Sequence, residues 1–214
     1  MMNKGKLKLK VCGMRDSDNI RQLARLAPDY IGFIFYPNSK RYASDLDVAL
    51  LGSLPSGIKK TGVFVNSTYQ EVVEKIETYH LDAVQLHGAE NPEFCMKIQA
   101  LDIQVIKAFG IDNRFDFNIL SEYKDVVDYF LFDTKTKEHG GSGKAFDWEL
   151  LKLYTLDKPF FLSGGLSTEN LAEIKNIQDT RLYALDLNSR FELEPGLKDI
   201  EKLTAVFNEI NIPG

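Results

Sequence analysis

The sequence predicts a closed (β/α)8 barrel. Eight short runs rich in Val, Ile, Phe and Tyr recur along the chain, and each is followed by a stretch with helical spacing or a helix-start signal. The length of 214 residues agrees, since it sits at the lower end of the roughly 200 to 250 residues expected of one such barrel. One domain over residues 1–214 is therefore expected. The rival arrangement, an open doubly wound sheet, usually has fewer strands, and no GxGxxG follows the first strand here.

The first strand, 7–12, shows the LKLKV alternation, and its helix, 18–26, starts behind Asp16 or Ser17 as a cap. Strands follow at 30–35, 61–65, 83–86, 104–108, 129–132, 160–162 and 182–187, all nearly continuous apolar runs that suit a sheet covered on both faces. Helices are expected at 46–54, at 69–79 behind Ser67, at 92–101 behind Asn91 with Pro92 in the first turn, and at 117–124 and 148–154. The last two are 169–177, behind Ser167 or Thr168, and 197–209. The longest irregular stretch, 134–145, is Gly-rich and follows the sixth strand, where such a loop is more often functional than idle.

Composition narrows the function classes. A 44% hydrophobic and 27% charged chain is ordinary for a globular protein, and no apolar run approaches the ~20 residues that cross a bilayer. The basic start MMNKGKLKLK lacks an apolar segment behind it, so no targeting signal is read. Cys12 and Cys95 are too few for a disulfide framework, so a reducing, cytoplasmic setting with free thiols is expected. A net charge of −5 argues against nucleic acid, and His80, His87 and His139 are too scattered for metal-ligand spacing. The expected partner is a small molecule, with no membrane and no metal.

Barrel enzymes keep their chemistry at the C-terminal ends of the strands. Those positions hold Cys12, Ser39 to Tyr42, Asn66, Gln85, His87, Lys107, Asp133, Ser163 to Gly165, Asp186 and Asn188 to Arg190. Gly164 and Gly165 precede a helix, where backbone N–H groups and the helix dipole can hold an anion; Ser189, with Arg190, supplies a partner loop. The same glycine pair also serves as a plain β-to-α turn. Asp133 closes the apolar run YFLFD, whose walls suit a general acid, although a loop cap is an equal reading. Cys12 reads either as a small buried apolar residue or as a thiolate favoured by a positive field.

The motifs KVCGMR (10–15), GFIFYPNSKRY (32–42), GVFVN (62–66), VQLHG (84–88), FDTKTKEHGGSGKAFDW (132–148), LSGGL (162–166) and LDLNSRFELEPGLKD (185–199) occur in the order found in one family. Through them the sequence resembles the phosphoribosylanthranilate isomerases over residues 10–199. The resemblance implies an Amadori rearrangement in tryptophan biosynthesis without a cofactor. It implies Cys12 as general base and Asp133 as general acid, and Arg41 on the anthranilate carboxylate. It also implies Gly164, Gly165 and Ser189 on the phosphate and Asp186 near the sugar hydroxyls. His87 lines the mouth with no role assigned, and Gly140, Gly141 and Gly143 suggest a lid. The chain departs from the family pattern at Arg190 and Phe191, where a small and a branched residue are usual, which bears on phosphate contacts. A monomer or homodimer is expected. The rivals are a histidine-pathway barrel isomerase, disfavoured because the Cys12 motif is not repeated at VIKAFG, and a non-catalytic phosphate sensor, disfavoured by Cys12 together with Asp133.

Overall fold

Eight parallel strands close into a barrel in chain order, β1 pairing with both β2 and β8, in the computed structural model, which describes residues 7–135 and 145–211. The strands are β1 (Lys8–Cys12), β2 (Tyr30–Ile34), β3 (Lys59–Phe64), β4 (Ala83–Leu86), β5 (Gln104–Ile111), β6 (Tyr129–Thr134), β7 (Phe160–Leu162) and β8 (Leu182–Leu187). The barrel read from the apolar runs is thus the fold. The Gly140, Gly141 and Gly143 loop lies outside the described residues.

The barrel wall sorts its side chains by the two-residue period of a strand. On β6, Phe130 and Phe132 belong to the large cluster between sheet and helices, whereas Leu131 belongs to a smaller cluster with Tyr30, Ala83, Ile106, Ala108, Phe161 and Ala184. The second set fills the barrel interior. Counting two residues further along the same inward rows reaches Asp133 from Leu131, Gln85 from Ala83 and Asp186 from Ala184. The lower interior is apolar and the upper interior is polar.

Helices α1 (Ser17–Ala24), α2 (Val48–Gly52), α3 (Tyr69–Tyr79), α4 (Pro92–Gln99), α5 (Leu171–Lys175) and α6 (Ile200–Asn211) cover the outside. Asp16, Asp47 and Asn91 cap α1, α2 and α4, each accepting from the N–H three residues on. Five expectations are corrected. Thr68, not Ser67, caps α3, in a reciprocal capping box with Glu71. Residues 117–124 and 148–154 form 3-10 helices at Phe117–Glu122 and Trp148–Leu153. There Asp116 and Asp147 accept from the N–H only two residues on, and this tighter local bond competes with an α turn.

The helix expected at 169–177 shrinks to α5, because Asn170 accepts from Ser167 N–H (2.9 Å) and donates to the Gly165 carbonyl (2.9 Å), keeping the preceding loop out of the helix. The helix expected at 197–209 begins at Ile200. Before it a hairpin turns at Gly196 (φ +90°) and pairs β9 (Glu192–Glu194) with β10 (Leu197–Lys198).

Candidate active site

At the polar upper end of the barrel one hydrogen-bonded chain crosses from strand to strand. The fully buried Lys10 of β1 donates to Asp186 Oδ2 of β8 (2.8 Å) and to Gln85 Oε1 of β4 (2.8 Å). An ammonium can only donate, so it fixes the Gln85 amide with its oxygen toward Lys10 and its nitrogen toward His87. Gln85 Nε2 lies 3.0 Å from His87 Nδ1, which must then accept. A neutral His87 consequently carries its proton on Nε2, and that atom faces Asp133 Oδ2 at 3.5 Å. Asp133 in turn accepts from the Thr134 N–H (2.8 Å).

Cys12 ends β1, two residues beyond Lys10 on the same strand face, and is buried. Gly32 is required beside it: a Cβ there would stand 2.8 Å from Cys12 Sγ and 3.1 Å from its Cα. Burial raises the thiol above its ordinary value, opposed chiefly by Lys10 and more weakly by Lys198, while Asp186 adds to the rise. The positive field expected at Cys12 is therefore present, but burial outweighs it. Burial also works against the Lys10 ammonium, yet Asp186 and Cys12 hold it above its usual range. Asp186 itself is raised, mainly by burial, and its Oδ1 has no hydrogen-bond partner among the described residues.

Cys12 and Asp133 look into one space. Asp133 and His87 both bear electrostatically on Asp186, and Asp186 bears on Cys12. Gly164 (φ +86°) closes the far side, since a Cβ there would lie 2.8 Å from Asp133 Oδ1 and 2.6 Å from the Thr134 nitrogen. Only glycine fits both the backbone angle and the contact.

A second cluster sits on the loops above β2 and β8. Arg41 grips Glu192 through one edge of its guanidinium, Nε to Oε1 and Oε2 (2.9 and 3.0 Å) and Nη2 to Oε2 (2.7 Å). Lys198, fully buried, donates to the same Glu192 (2.6 Å) and to Asn188 (2.8 Å). Burial pushes Lys198 down to about 8, against the pull of Glu192. Burial would raise Glu192, but the Arg41 hydrogen bonds and Lys198 hold its carboxyl below the ordinary range. Gly13 (φ +83°) leaves room for this cluster, as a Cβ would stand 2.8 Å from Arg41 Cδ.

Gly165, Ser167 and Asn170 from the β7 loop line an open cavity with Arg190 from the β8 loop. Gly165 has φ +67°, and Ser189, half-buried, starts the short 3-10 turn Ser189–Phe191. Of the two residues that depart from the family pattern, Phe191 is buried in the core and Arg190 faces this cavity. The helix dipole expected behind the glycine pair is not adjacent, since α5 starts six positions after Gly165 and spans five residues. Lys107 belongs elsewhere: it is buried against Glu90 (3.1 Å) and the carbonyls of Leu86, Gly88 and Ala108, on the helix side of the wall. Among the described residues no group of three or more His, Cys, Asp or Glu could hold a metal.

Sequence reasoning missed Lys10, Glu192 and Lys198. Lys10 was legible in principle, as a lysine inside an apolar strand at the same parity as Cys12. Glu192 and Lys198 carry no such signal, because their meeting depends on the hairpin at Gly196.

A closed barrel with a thiol, a carboxyl group and buried cations at the C-terminal mouth of its strands defines an enzyme equipped for proton transfer on an anionic small molecule. The family model of N-(5'-phosphoribosyl)anthranilate (PRA) isomerase matches residues 9–209. An N-(5'-phosphoribosyl)anthranilate isomerase of Parabacteroides distasonis is 48% identical over 207 residues, covering 96% of this chain and 94% of the relative. Among solved structures, the phosphoribosyl anthranilate isomerase of Thermotoga maritima superposes with a TM-score of 0.82 at 36% identity, over 95% of this chain and 98% of that one. Another, solved in complex with reduced 1-(o-carboxyphenylamino)-1-deoxyribulose 5-phosphate, gives 0.80 at 31% identity, over 95% and 98%. The chain belongs to the N-(5'-phosphoribosyl)anthranilate isomerase family, enzymes of tryptophan biosynthesis.

Proposed function

We propose that Cys12 is the general base and Asp133 the general acid of the rearrangement of N-(5'-phosphoribosyl)anthranilate to 1-(2-carboxyphenylamino)-1-deoxyribulose 5-phosphate. Asp133 gives a proton to the ribose ring oxygen as the C1–O bond breaks, leaving a C1=N iminium. The Cys12 thiolate takes the C2 proton, and that electron pair forms C1=C2 and neutralises the nitrogen. The resulting enolamine tautomerises to the ketone, O2 losing a proton and C1 gaining one. The observation that carries this reading is the shared mouth: Asp133 extends the inward row of Leu131 on β6, and Cys12 extends the row of Lys10, whose ammonium reaches Gln85 and Asp186 across the same barrel.

Around them Arg41 holds the anthranilate carboxylate, its guanidinium set by Glu192. Gly164, Gly165 and Ser189 take the phosphate on the loops after β7 and β8, the usual place in barrels, where Gly165 and Arg190 line one open cavity. Asp186 accepts from a sugar hydroxyl through Oδ1, the oxygen without a partner among the described residues. Every group named in this reading comes from one chain. Titration with reduced 1-(o-carboxyphenylamino)-1-deoxyribulose 5-phosphate tests this placement. One molecule should bind per chain, and Ser189→Ala and Arg41→Ala should each weaken it about tenfold or more, the worth of a lost charge-assisted contact. Unchanged affinity in both variants would mean that the ligand sits elsewhere.

A further inference from the structure

A fully buried lysine is a costly filling for a barrel. Replacing a buried ion pair by apolar side chains of the same volume is often neutral or stabilising, so packing alone does not account for Lys10. Its ammonium instead serves polar groups of the site: two of its hydrogens are placed on Asp186 Oδ2 and Gln85 Oε1, each at 2.8 Å, and Cys12 follows two residues along the same strand face.

We propose that Lys10 is the positioning residue of the base: its buried ammonium, anchored by Asp186 and Gln85, stabilises the thiolate of Cys12 two residues along the same strand face. The proposal rests on the reading of Cys12 as the base and adds what makes that thiol usable. A buried thiol unaided stays protonated, and a protonated thiol is no base. Of the charges that bear on Cys12, Lys10 is the strongest to favour the thiolate; Lys198 from β10 adds to it and Asp186 from β8 opposes it. Lys198 is itself committed to Glu192 and Asn188, and Arg41 beyond it works against its charge. Lys10 therefore stands between two anions of opposite consequence. It is held still by Asp186, and it offsets Asp186 at the sulfur. Through Gln85 and His87 the same ammonium orients the groups that lead to Asp133, so one cation organises both ends of the proton-transfer path.

The test is the pH dependence of Cys12 alkylation by iodoacetamide, read by mass spectrometry in a Cys95→Ala background so that one thiol reports. Lys10→Gln keeps a donor for Asp186 but removes the charge. It should move the profile to higher pH and slow alkylation at neutral pH about tenfold or more, the usual size of an opposite-charge effect at close range. Asp186→Asn should move the profile the other way and speed alkylation at neutral pH. Opposite shifts support the proposal, because simple loosening of the site would move both variants in the same direction. Shifts of the same sign, or no shift in either folded variant, overturn it. If Lys10→Gln does not fold, Asp186→Asn decides alone: a shift to lower pH supports, while an unmoved or raised profile overturns. Full turnover in Cys12→Ala would sink the base assignment while leaving this titration readable, so the two failures are distinguishable.

Discussion

Lys10 and His87 share no hydrogen bond, yet the first determines which nitrogen of the second carries the proton. The Gln85 amide between them accepts from Lys10 at 2.8 Å and so must donate to His87 Nδ1 at 3.0 Å. A neutral imidazole in this position is the Nε2–H tautomer, with that hydrogen directed toward Asp133. Nitrogen-15 NMR of the unliganded protein should show Nδ1 as the unprotonated nitrogen of the neutral His87 ring. A spectrum of the Nδ1–H tautomer would break the chain of orientation at Gln85.

Gly164 is the tightest point of the β7 loop. Gly164→Ala adds a Cβ at a backbone angle of +86° and places it 2.6 Å from the Thr134 nitrogen, which is backbone and cannot swing aside. The substitution should cost about 1 to 3 kcal/mol in urea unfolding and displace Asp133, lowering kcat at the same time. Wild-type stability together with wild-type kcat would show that the loop relaxes freely.

Arg41→Ala should chiefly raise KM, since a contact made equally in ground and transition states is lost. Among the described residues Glu192 then keeps Lys198 and the Gly196 N–H as side-chain partners. Steady-state kinetics with varied substrate reads this directly. A fall in kcat with KM unchanged would move Arg41 from binding to chemistry.

Glu192 is held below the ordinary carboxyl value of 4.5, so it binds fewer protons folded than unfolded over the acid range. Its contribution to stability is full above about 4.5 and is lost as pH falls through the lower folded value. Glu192→Gln should therefore flatten the acid limb of the stability curve relative to the parent, measured as urea midpoints at a series of pH values. An unchanged slope below 4.5 would contradict the coupling of Glu192 to Arg41 and Lys198.

The barrel was legible because its wall is written in a local code. Runs such as FFL and AVQL are too apolar for a one-sided sheet and recur eight times between helix signals. Asp133 and Cys12 were legible as strand-end residues for the same reason, and their parity with Leu131 and Lys10 points them inward. What was not legible depends on chain reversal or on competing local bonds. The Glu192 and Lys198 pair requires the turn at Gly196, and the shortened α5 follows from the Asn170 side chain bonding back to Gly165 and Ser167. The sequence left Cys12 open between a buried apolar residue and a thiolate in a positive field; the structure shows both the burial and the nearby cations, and the balance between them depends on side chains brought together from β1, β8 and β10.

The division of labour between thiol and carboxyl group is tested most directly by turnover of N-(5'-phosphoribosyl)anthranilate, followed by its fluorescence, in Cys12→Ala and Asp133→Asn. Each variant should fold as the parent does and lose about 10² to 10⁴ in kcat, the usual worth of a positioned base or acid. Near-parental kcat in either folded variant would contradict the role assigned to that residue.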